Sequence, residues 1–247
     1  MKTAFLIGFG PSFRTMDKGR LLNLPVPVAC CGHWCFVNGI RTDHFFSFDP
    51  PGSFPKGIYA DSRIAKHTRF ALQAEKSPEG VALRECPNMH FYDDNLSFDP
   101  KTFLTEPTVN WGDDPLPLSN DELKKIIDSG VQSYDAGVRA SVLAALRILY
   151  QLGFRRVFMV GYDFAESDYR PHQYWRRLVE RFKRLKPTFT AAGYELLNCS
   201  RNSALRCYPF IELDEAIAMV GREHGSEVCA RSMDAPGRTR PVFADLC

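Results

Sequence analysis

Two short glycine-containing segments carry the residues best suited to chemistry in this chain. We call residues 8–12, Gly-Phe-Gly-Pro-Ser, the first glycine turn, and residues 161–164, Gly-Tyr-Asp-Phe, the second glycine turn. Glycine lets backbone N–H groups approach a phosphate closely, and the start of a helix favours an anion. The first glycine turn therefore predicts a phosphate site, where Gly8 and Gly10 allow the approach and Ser12 caps the helix or donates to the ligand. The alternative is a tight strand–helix turn without a ligand.

Two ionisable residues in and after the second glycine turn are candidates for catalysis. Asp163 has the chemistry to orient a sugar or ribose hydroxyl, or to bind a metal together with a phosphate; its alternatives are a loop carboxylate or a helix cap. His172 follows in a polar segment, and histidine is the natural general base near neutral pH. Its alternative is a solvated loop histidine. The sequence predicts Asp163 and His172 as the catalytic residues.

Both glycine turns follow apolar runs, residues 3–7 and 156–160. Such runs are typical of strands buried on both faces of a parallel sheet, and the ends of these strands line the ligand crevice of an open α/β sheet. Residues 25–30 and 43–48 predict two further strands. The predicted fold class is therefore α/β, with a Rossmann-like, mostly parallel sheet flanked by helices.

The chain divides into a single predicted domain and a tail. Residues 1–225 predict one Rossmann-like nucleotide-binding domain, and residues 226–247 a loosely packed C-terminal tail. The middle, about 53–118, is rich in Pro, Asp, Asn and aromatic residues. We predict that this segment is an irregular insertion that forms a lid over the site, with a helix over residues 58–67 and a short strand at 89–92.

Three helices are predicted in the C-terminal half of the chain. Apolar residues recur at three- and four-residue spacing over residues 134–152, and Gly153 ends that helix. A basic amphipathic helix is predicted over residues 173–192, and a last helix over Leu213–His224. The strand of the second glycine turn lies between the first two of these helices, as in an alternating α/β fold.

The composition gives no global signal for nucleic-acid or membrane binding. The chain has 247 residues, a net charge of +2 and a pI near 8.1, so no overall charge attracts it to nucleic acid or membranes. It has no run of roughly 18 apolar residues to span a bilayer. The N-terminus lacks the pattern of a signal peptide, which predicts a cytoplasmic protein with reduced cysteines.

The segment 30–35, Cys-Cys-Gly-His-Trp-Cys, contains residue types that bind zinc. Adjacent cysteines replace the usual spaced pair, however, and no second Cys/His pair follows nearby. We therefore predict thiols at the end of a buried strand and no metal site.

The block of residues 152–164, which ends in the second glycine turn, resembles a signature of proteins similar to the hydroxymethylpterin pyrophosphokinase of the methanopterin pathway and to flagellin motility-accessory glycosyltransferases. The same block, together with a Gly-x-Gly-Pro-Ser turn at the N-terminus, occurs in bacterial monofunctional sialyltransferases. Residues 173–187 and 193–203 look like those of members of this group carried by tailed bacteriophages.

The resemblance implies a set of residues that contact the donor nucleotide or sugar. Two departures stand out: the second strand ends in Cys31 instead of asparagine, and the third ends in Asp49 instead of asparagine. The residues flanking His172 also differ from those around the base of these enzymes. The implied donor contacts are Gly8, Gly10, Ser12, Asp49, Ser141, Gly161, Asp163 and Phe164.

The leading functional hypothesis is a nucleotide-dependent, glycosyltransferase-like enzyme. It would move a group from a nucleotide or nucleotide-sugar donor to a hydroxyl acceptor; for a bacteriophage relative in the host cytoplasm, one acceptor class is a hydroxymethylated DNA base. A first alternative is an ATP-using pyrophosphokinase, which would need Mg²⁺. A second is a non-catalytic nucleotide-binding or phage assembly protein, because a fold alone does not establish chemistry.

Overall fold

The computed structural model describes residues 1–47, 56–69, 86–92, 99–105, 141–164 and 172–224. Seven strands in these residues form one sheet in the order β5-β4-β3-β2-β1-β6-β7, and every neighbouring pair is parallel. The predicted α/β, Rossmann-like fold class is confirmed. The strands are β1 (Thr3–Ile7), β2 (Val28–Cys31), β3 (His44–Ser47), β4 (Ala65–Arg69), β5 (Met89–Tyr92), β6 (Arg156–Val160) and β7 (Glu195–Asn198).

Helices cover both faces of the sheet. The first begins at Pro11, whose fixed φ suits a first helical position, and the longest contains Pro187 in its interior. A 3₁₀ helix covers Lys18–Leu21. The α-helices of the described residues are α1 (Pro11–Thr15), α2 (Trp34–Val37), α3 (Lys56–Ala60), α4 (Ser141–Gln151), α5 (His172–Ala191) and α6 (Leu213–His224).

The sheet separates two apolar cores. Phe13 of α1, Tyr59 of α3 and Val220 of α6 pack with one face of the sheet. Leu146 of α4 and Phe182 of α5 pack with the other. Strands buried by helices on both faces are continuous apolar runs, which explains the composition of β1 and β6.

The chain reverses its direction of travel across the sheet at β1. Strands β1 to β5 follow one another towards one edge, whereas β6 returns to the other side of β1. The helices that follow these two neighbours, α1 and α5, therefore lie on opposite faces of the sheet. Such a topological switch point opens a crevice at the carboxyl ends of the two strands, where open α/β folds bind ligands.

One predicted element is wrong: residues 58–67 are not a helix. Helix α3 ends at Ala60 and β4 begins at Ala65. The Asp61 carboxylate accepts a hydrogen bond from the Arg63 backbone N–H at 2.9 Å, a local turn that competes with helical continuation.

The predicted insertion, residues 53–118, contains part of the main sheet, and its role as a lid stays a prediction. It supplies β4 and β5, which extend the main sheet. Residues 70–85, 93–98 and 106–140 lie outside the described residues, so the boundaries of the insertion and of the domain 1–225 stay predictions. The tail, 226–247, also lies outside them. Within the described ranges, no helix is both long and apolar enough to cross a membrane.

Candidate functional site at the ends of β1 and β6

Backbone hydrogen bonds join the two glycine turns at the switch point. The Gly8 N–H donates to the Val160 carbonyl, and the Gly10 N–H donates to the Gly161 carbonyl, both at 2.8 Å. Because these bonds continue the parallel pairing of β1 and β6, the two turns lie side by side. The sequence predicted this meeting of the two turns.

Close approach of the chain to itself explains the three glycines. A Cβ at Gly8 would lie 2.9 Å from the Tyr162 ring, and one at Gly10 would lie 2.1 Å from Asp163 Oδ2. Gly161 has a φ of +74°, and a Cβ there would lie 2.7 Å from the Phe13 Cβ. The space beside these glycines is thus occupied by side chains of the protein itself.

Asp163 satisfies the first turn of α1. Its Oδ2 accepts hydrogen bonds from the Ser12 backbone N–H at 3.0 Å and from the Ser12 hydroxyl at 2.8 Å. The residue is only 4 % exposed. A carboxylate at a helix N-terminus is favourable because it meets otherwise unpaired N–H groups. The carboxylate therefore acts as an internal anion at the helix start where the sequence predicts a phosphate.

One backbone donor of the first glycine turn is left open. The N–H groups of Gly8, Gly10 and Ser12 have internal partners, whereas that of Phe9 has none among the described residues. The Phe9 ring stacks on Trp34, with centroids 3.7 Å apart and planes 8° apart. Phe9 thus presents one free N–H beside an aromatic wall formed with the segment after β2.

Tyr162 places a second unsatisfied polar group near the ends of β1 and β2. Its hydroxyl is buried beside the Cys31 thiol but makes no hydrogen bond of good geometry within the described structure. Burial raises the pKa of the Cys31 thiol to about 12, so the thiol is protonated at neutral pH. Ser141, the first residue of α4, also lies against this thiol. A phenol, a thiol and a hydroxyl therefore meet at this position.

A third loop, residues 198–205, contributes to the site and was missed by the sequence analysis. We call it the serine loop. The Ser200 hydroxyl lies 3.0 Å from the Ser12 hydroxyl and accepts from the Gly161 N–H at 3.1 Å. The Ser203 hydroxyl donates to the Tyr162 carbonyl at 2.8 Å. No local sequence signal marks these serines, because their partners are distant in the chain.

The structure assembles most of the predicted site residues. Ser141 lies against the Cys31 thiol, at the end of the neighbouring strand β2. Asp49 lies outside the described residues. His172 is the first residue of α5, and its side chain lies outside the described part of the structure. The roles of all these residues in binding or catalysis stay predictions. The residues assembled at the two turns are Gly8, Gly10, Ser12, Gly161, Asp163 and Phe164.

The cysteine segment contributes to both faces of the sheet. Cys30 and Cys35 are buried in the core beneath α1 and α2, whereas Cys31 packs against the other core. Among the residues that the structure describes, no group of three or more His, Cys, Asp or Glu side chains has the arrangement of a metal site.

Comparisons with known proteins give a distant structural likeness. No protein-family model and no curated protein matches the chain. The sialyltransferase CstII from Campylobacter jejuni, in complex with cytidine 5′-monophosphate, is 16 % identical, with a TM-score of 0.44 over 85 % of this chain and 84 % of that chain. Its complex with CMP-3FNeuAc gives 16 % identity and a TM-score of 0.45 over 85 % and 86 %.

Proposed function

We propose that the protein is a nucleotide-dependent transferase of the glycosyltransferase type, which moves a group from a nucleotide or nucleotide-sugar donor to a hydroxyl acceptor. The observation that carries the proposal is the meeting of two glycine turns at the switch point between β1 and β6. Open α/β sheets bind nucleotides in the crevice at this position. The donor would lie across the ends of β1 and β2.

The open Phe9 N–H supports a phosphate contact in this crevice. In the proposed reaction, a base takes the proton of the acceptor hydroxyl, and the acceptor oxygen attacks the donor carbon. The bond between that carbon and the phosphate oxygen breaks, and the phosphate leaves with the electron pair. A fixed N–H donor stabilises the charge that develops on the leaving oxygen. His172 is the proposed base, because α5 begins on the crevice side of the sheet.

The exposed face of α5 supports a polyanionic acceptor, for which we propose DNA bearing hydroxymethylated bases. Residues 176–186 contain six cations and one acid, a net charge of +5 in a chain whose total is +2, so the rest of the chain is net negative. The apolar face of α5 is packed in the core, so the described side chains of this helix, from residue 175 onwards, form no free apolar face to insert into a lipid surface. The exposed cations include Arg176, Arg177, Lys183 and Lys186.

The donor site is tested by a thermal-shift screen followed by calorimetry. The probes are nucleoside mono-, di- and triphosphates and nucleotide-sugars. A ligand at about a hundred times its Kd adds roughly 2.7 kcal/mol of apparent stability. Asp163→Asn should weaken binding, whereas the control Asp61→Asn, a hydrogen-bonded aspartate before β4, should not. Absence of binding by every probe would contradict the proposed function, and turnover that requires Mg²⁺ and ATP would favour the pyrophosphokinase alternative.

The acceptor is tested by fluorescence anisotropy with labelled single- and double-stranded DNA at several salt concentrations. Each lost phosphate contact should reduce the slope of log K against log salt by roughly 0.9 for duplex DNA. A variant with four α5 cations replaced by glutamine should lose most of the affinity. A control with the same charge change elsewhere should keep it; equal loss in both would contradict a DNA surface on α5. The α5 set is Arg176, Arg177, Lys183 and Lys186; the control set is the partly exposed Lys18 and the exposed Arg63, Lys101 and Arg222.

A further inference from the structure

A chain of hydrogen bonds crosses three loops at the switch point. It runs from the Gly161 N–H to the Ser200 hydroxyl, from there to the Ser12 hydroxyl, and on to Asp163 Oδ2, with donor–acceptor distances of 3.1, 3.0 and 2.8 Å. Ser200 is 2 % exposed. Its backbone N–H also donates to the Asn198 side-chain oxygen at 3.0 Å. The serine loop is therefore fixed against both glycine turns.

The donor and the acceptor of each hydrogen bond in this series follow from the groups at its two ends. An ionised carboxylate only accepts hydrogen bonds, so the Ser12 hydroxyl donates its proton to Asp163. A backbone N–H only donates, so the Ser200 oxygen accepts from Gly161. The remaining proton of Ser200 must then point to the Ser12 oxygen. Neither hydroxyl has a second proton to offer a ligand.

Backbone geometry holds the carboxylate in one position. Phe164, directly after Asp163, has a φ of +50°, an uncommon left-handed conformation for a residue with a side chain. The Asp163 carbonyl accepts from the Ala204 N–H at 2.8 Å, which ties the same residue to the serine loop. Strained backbone persists where its surroundings impose it, and it is common at functional sites.

The second carboxylate oxygen has a different environment. Asp163 Oδ1 has no hydrogen-bond partner among the described residues. It is also not among the described side-chain atoms that lack both a hydrogen-bond partner and contact with solvent. We infer that Ser200 is a positioning residue: through Ser12 it fixes Oδ2, so that Oδ1 faces the crevice as an oriented acceptor for a ribose hydroxyl of the nucleotide. This inference rests on the proposed function and assigns Asp163 to ligand recognition instead of proton transfer.

The test compares the four ribonucleoside 5′-monophosphates with their 2′,3′-dideoxy analogues by calorimetry. A hydrogen bond to a charged group is worth about 1.5–3 kcal/mol, so the wild type should prefer the ribonucleotide about tenfold or more. Ser200→Ala should reduce this preference to less than about threefold. Ser203→Ala is the matched control, because it removes a buried hydroxyl of the same loop that has no bond to the carboxylate. It should lower stability and keep the preference.

A ligand-free arm tests the hydrogen-bond chain itself. Ser12→Ala and Ser200→Ala interrupt the same chain, so their effects on the urea midpoint should be clearly non-additive in the double variant, whereas Ser203→Ala with Ser12→Ala should be closer to additive. Additive effects of the first pair would overturn the chain. A wild type that binds ribo- and dideoxynucleotides equally, or a Ser200→Ala variant that keeps the preference, would overturn the role of Oδ1. If no nucleotide binds, both the proposed function and the role of Oδ1 are contradicted. The urea experiment still decides whether the series of hydrogen bonds exists.

Discussion

Two polar clusters in this molecule, one buried and one partly buried, differ in how their ionisable groups are satisfied. At the glycine turns, the Asp163 carboxylate is paired with two donors of Ser12. On β3, β4 and β5, His44 Nδ1 lies 3.2 Å from His67 Nε2, and the His67 ring stacks on His90 with centroids 5.1 Å apart. The first cluster stabilises a charge, whereas the second consists of imidazoles without a hydrogen-bonded carboxylate in the described structure.

The surroundings of His44 and His67 lower the pKa values of both imidazoles. Burial, reinforced by nearby Lys2 and His90 and opposed by Asp43, lowers the pKa of His44 to about 4. Burial also lowers the pKa of His67, and both neighbouring histidines add to that effect. A buried charge needs partners, and a buried neutral ring needs only packing. The glycine turns therefore supply hydrogen-bond donors to a buried carboxylate, whereas the surroundings of the histidine cluster favour neutral rings.

The largest effect is expected from Gly10→Val. A Cβ at Gly10 would overlap Asp163 Oδ2, and the nearby Gly161 carbonyl leaves no direction for relief. We expect a loss of more than about 3 kcal/mol in the free energy of unfolding, measured with urea. The control is Gly221→Ala in α6, where no atom beyond its chain neighbours and its own helix backbone lies within 4 Å of the new Cβ; helix propensity favours it by up to about 1 kcal/mol. A Gly10→Val protein of wild-type stability would refute the packed arrangement of the turns.

The histidine cluster should make the protein less stable at acidic pH. Because the pKa of His44 is about 4 in the folded protein and near 6.5 when unfolded, the unfolded chain binds more protons between these values. Stability should therefore fall as the pH is lowered from about 6.5 to about 4, by up to about 3 kcal/mol for this residue. Urea unfolding at pH 7 and pH 4.5 measures the loss. His44→Asn keeps a polar side chain but cannot titrate, so its loss should be smaller; an equal loss in both proteins would exclude His44 as the cause.

Removing the charged partner should cost less than overfilling its space. Asp163→Ala leaves the Ser12 N–H and hydroxyl without an acceptor, and we expect a loss of about 2 kcal/mol. Asp163→Asn keeps an oxygen acceptor and should lose less than the alanine variant. Thermal and urea unfolding at neutral pH give both values. Equal stability of all three proteins would show that Asp163 does not hold the first glycine turn.

The smallest effect concerns the unpartnered hydroxyl of Tyr162. Tyr162→Phe removes a buried polar group that lacks a good hydrogen bond. We expect the stability to stay equal or rise by up to about 1 kcal/mol. The control is Tyr194→Phe, because the Tyr194 hydroxyl donates to the Leu146 carbonyl at 2.9 Å and its loss should destabilise the protein. A clear destabilisation by Tyr162→Phe would indicate a hydrogen bond that the structure lacks.

The fold was readable from the sequence because its strands are buried on both faces. Burial on both faces requires continuous apolar runs. The glycines at residues 8, 10 and 161 stand where two loops pack too closely for a side chain. The helix Leu213–His224 was also predicted with its observed bounds. These features depend on local patterns within a few residues.

The serine loop could not be predicted from the sequence, because its contacts join residues that are far apart in the chain. Ser12 and Ser200 are 188 residues apart, and each hydrogen-bonds to a partner that no local pattern reveals. The position of Asp163 shows the same limit: the sequence marks it as an acid at a strand end, but only the tertiary structure shows that one of its oxygens caps α1. Contacts between distant loops decide the chemistry of this site.

Amide NMR of ¹⁵N-labelled protein, titrated with the nucleotide selected in the thermal-shift screen, shows whether that nucleotide binds at the β1–β6 switch point. We predict that the largest shift changes cluster at the two glycine turns, led by the open N–H of Phe9. The amides of the histidine strands, His44, His67 and His90, should change little. Shifts that cluster at those strands or elsewhere, with unchanged amides at residues 8–12 and 161–164, would contradict the claim.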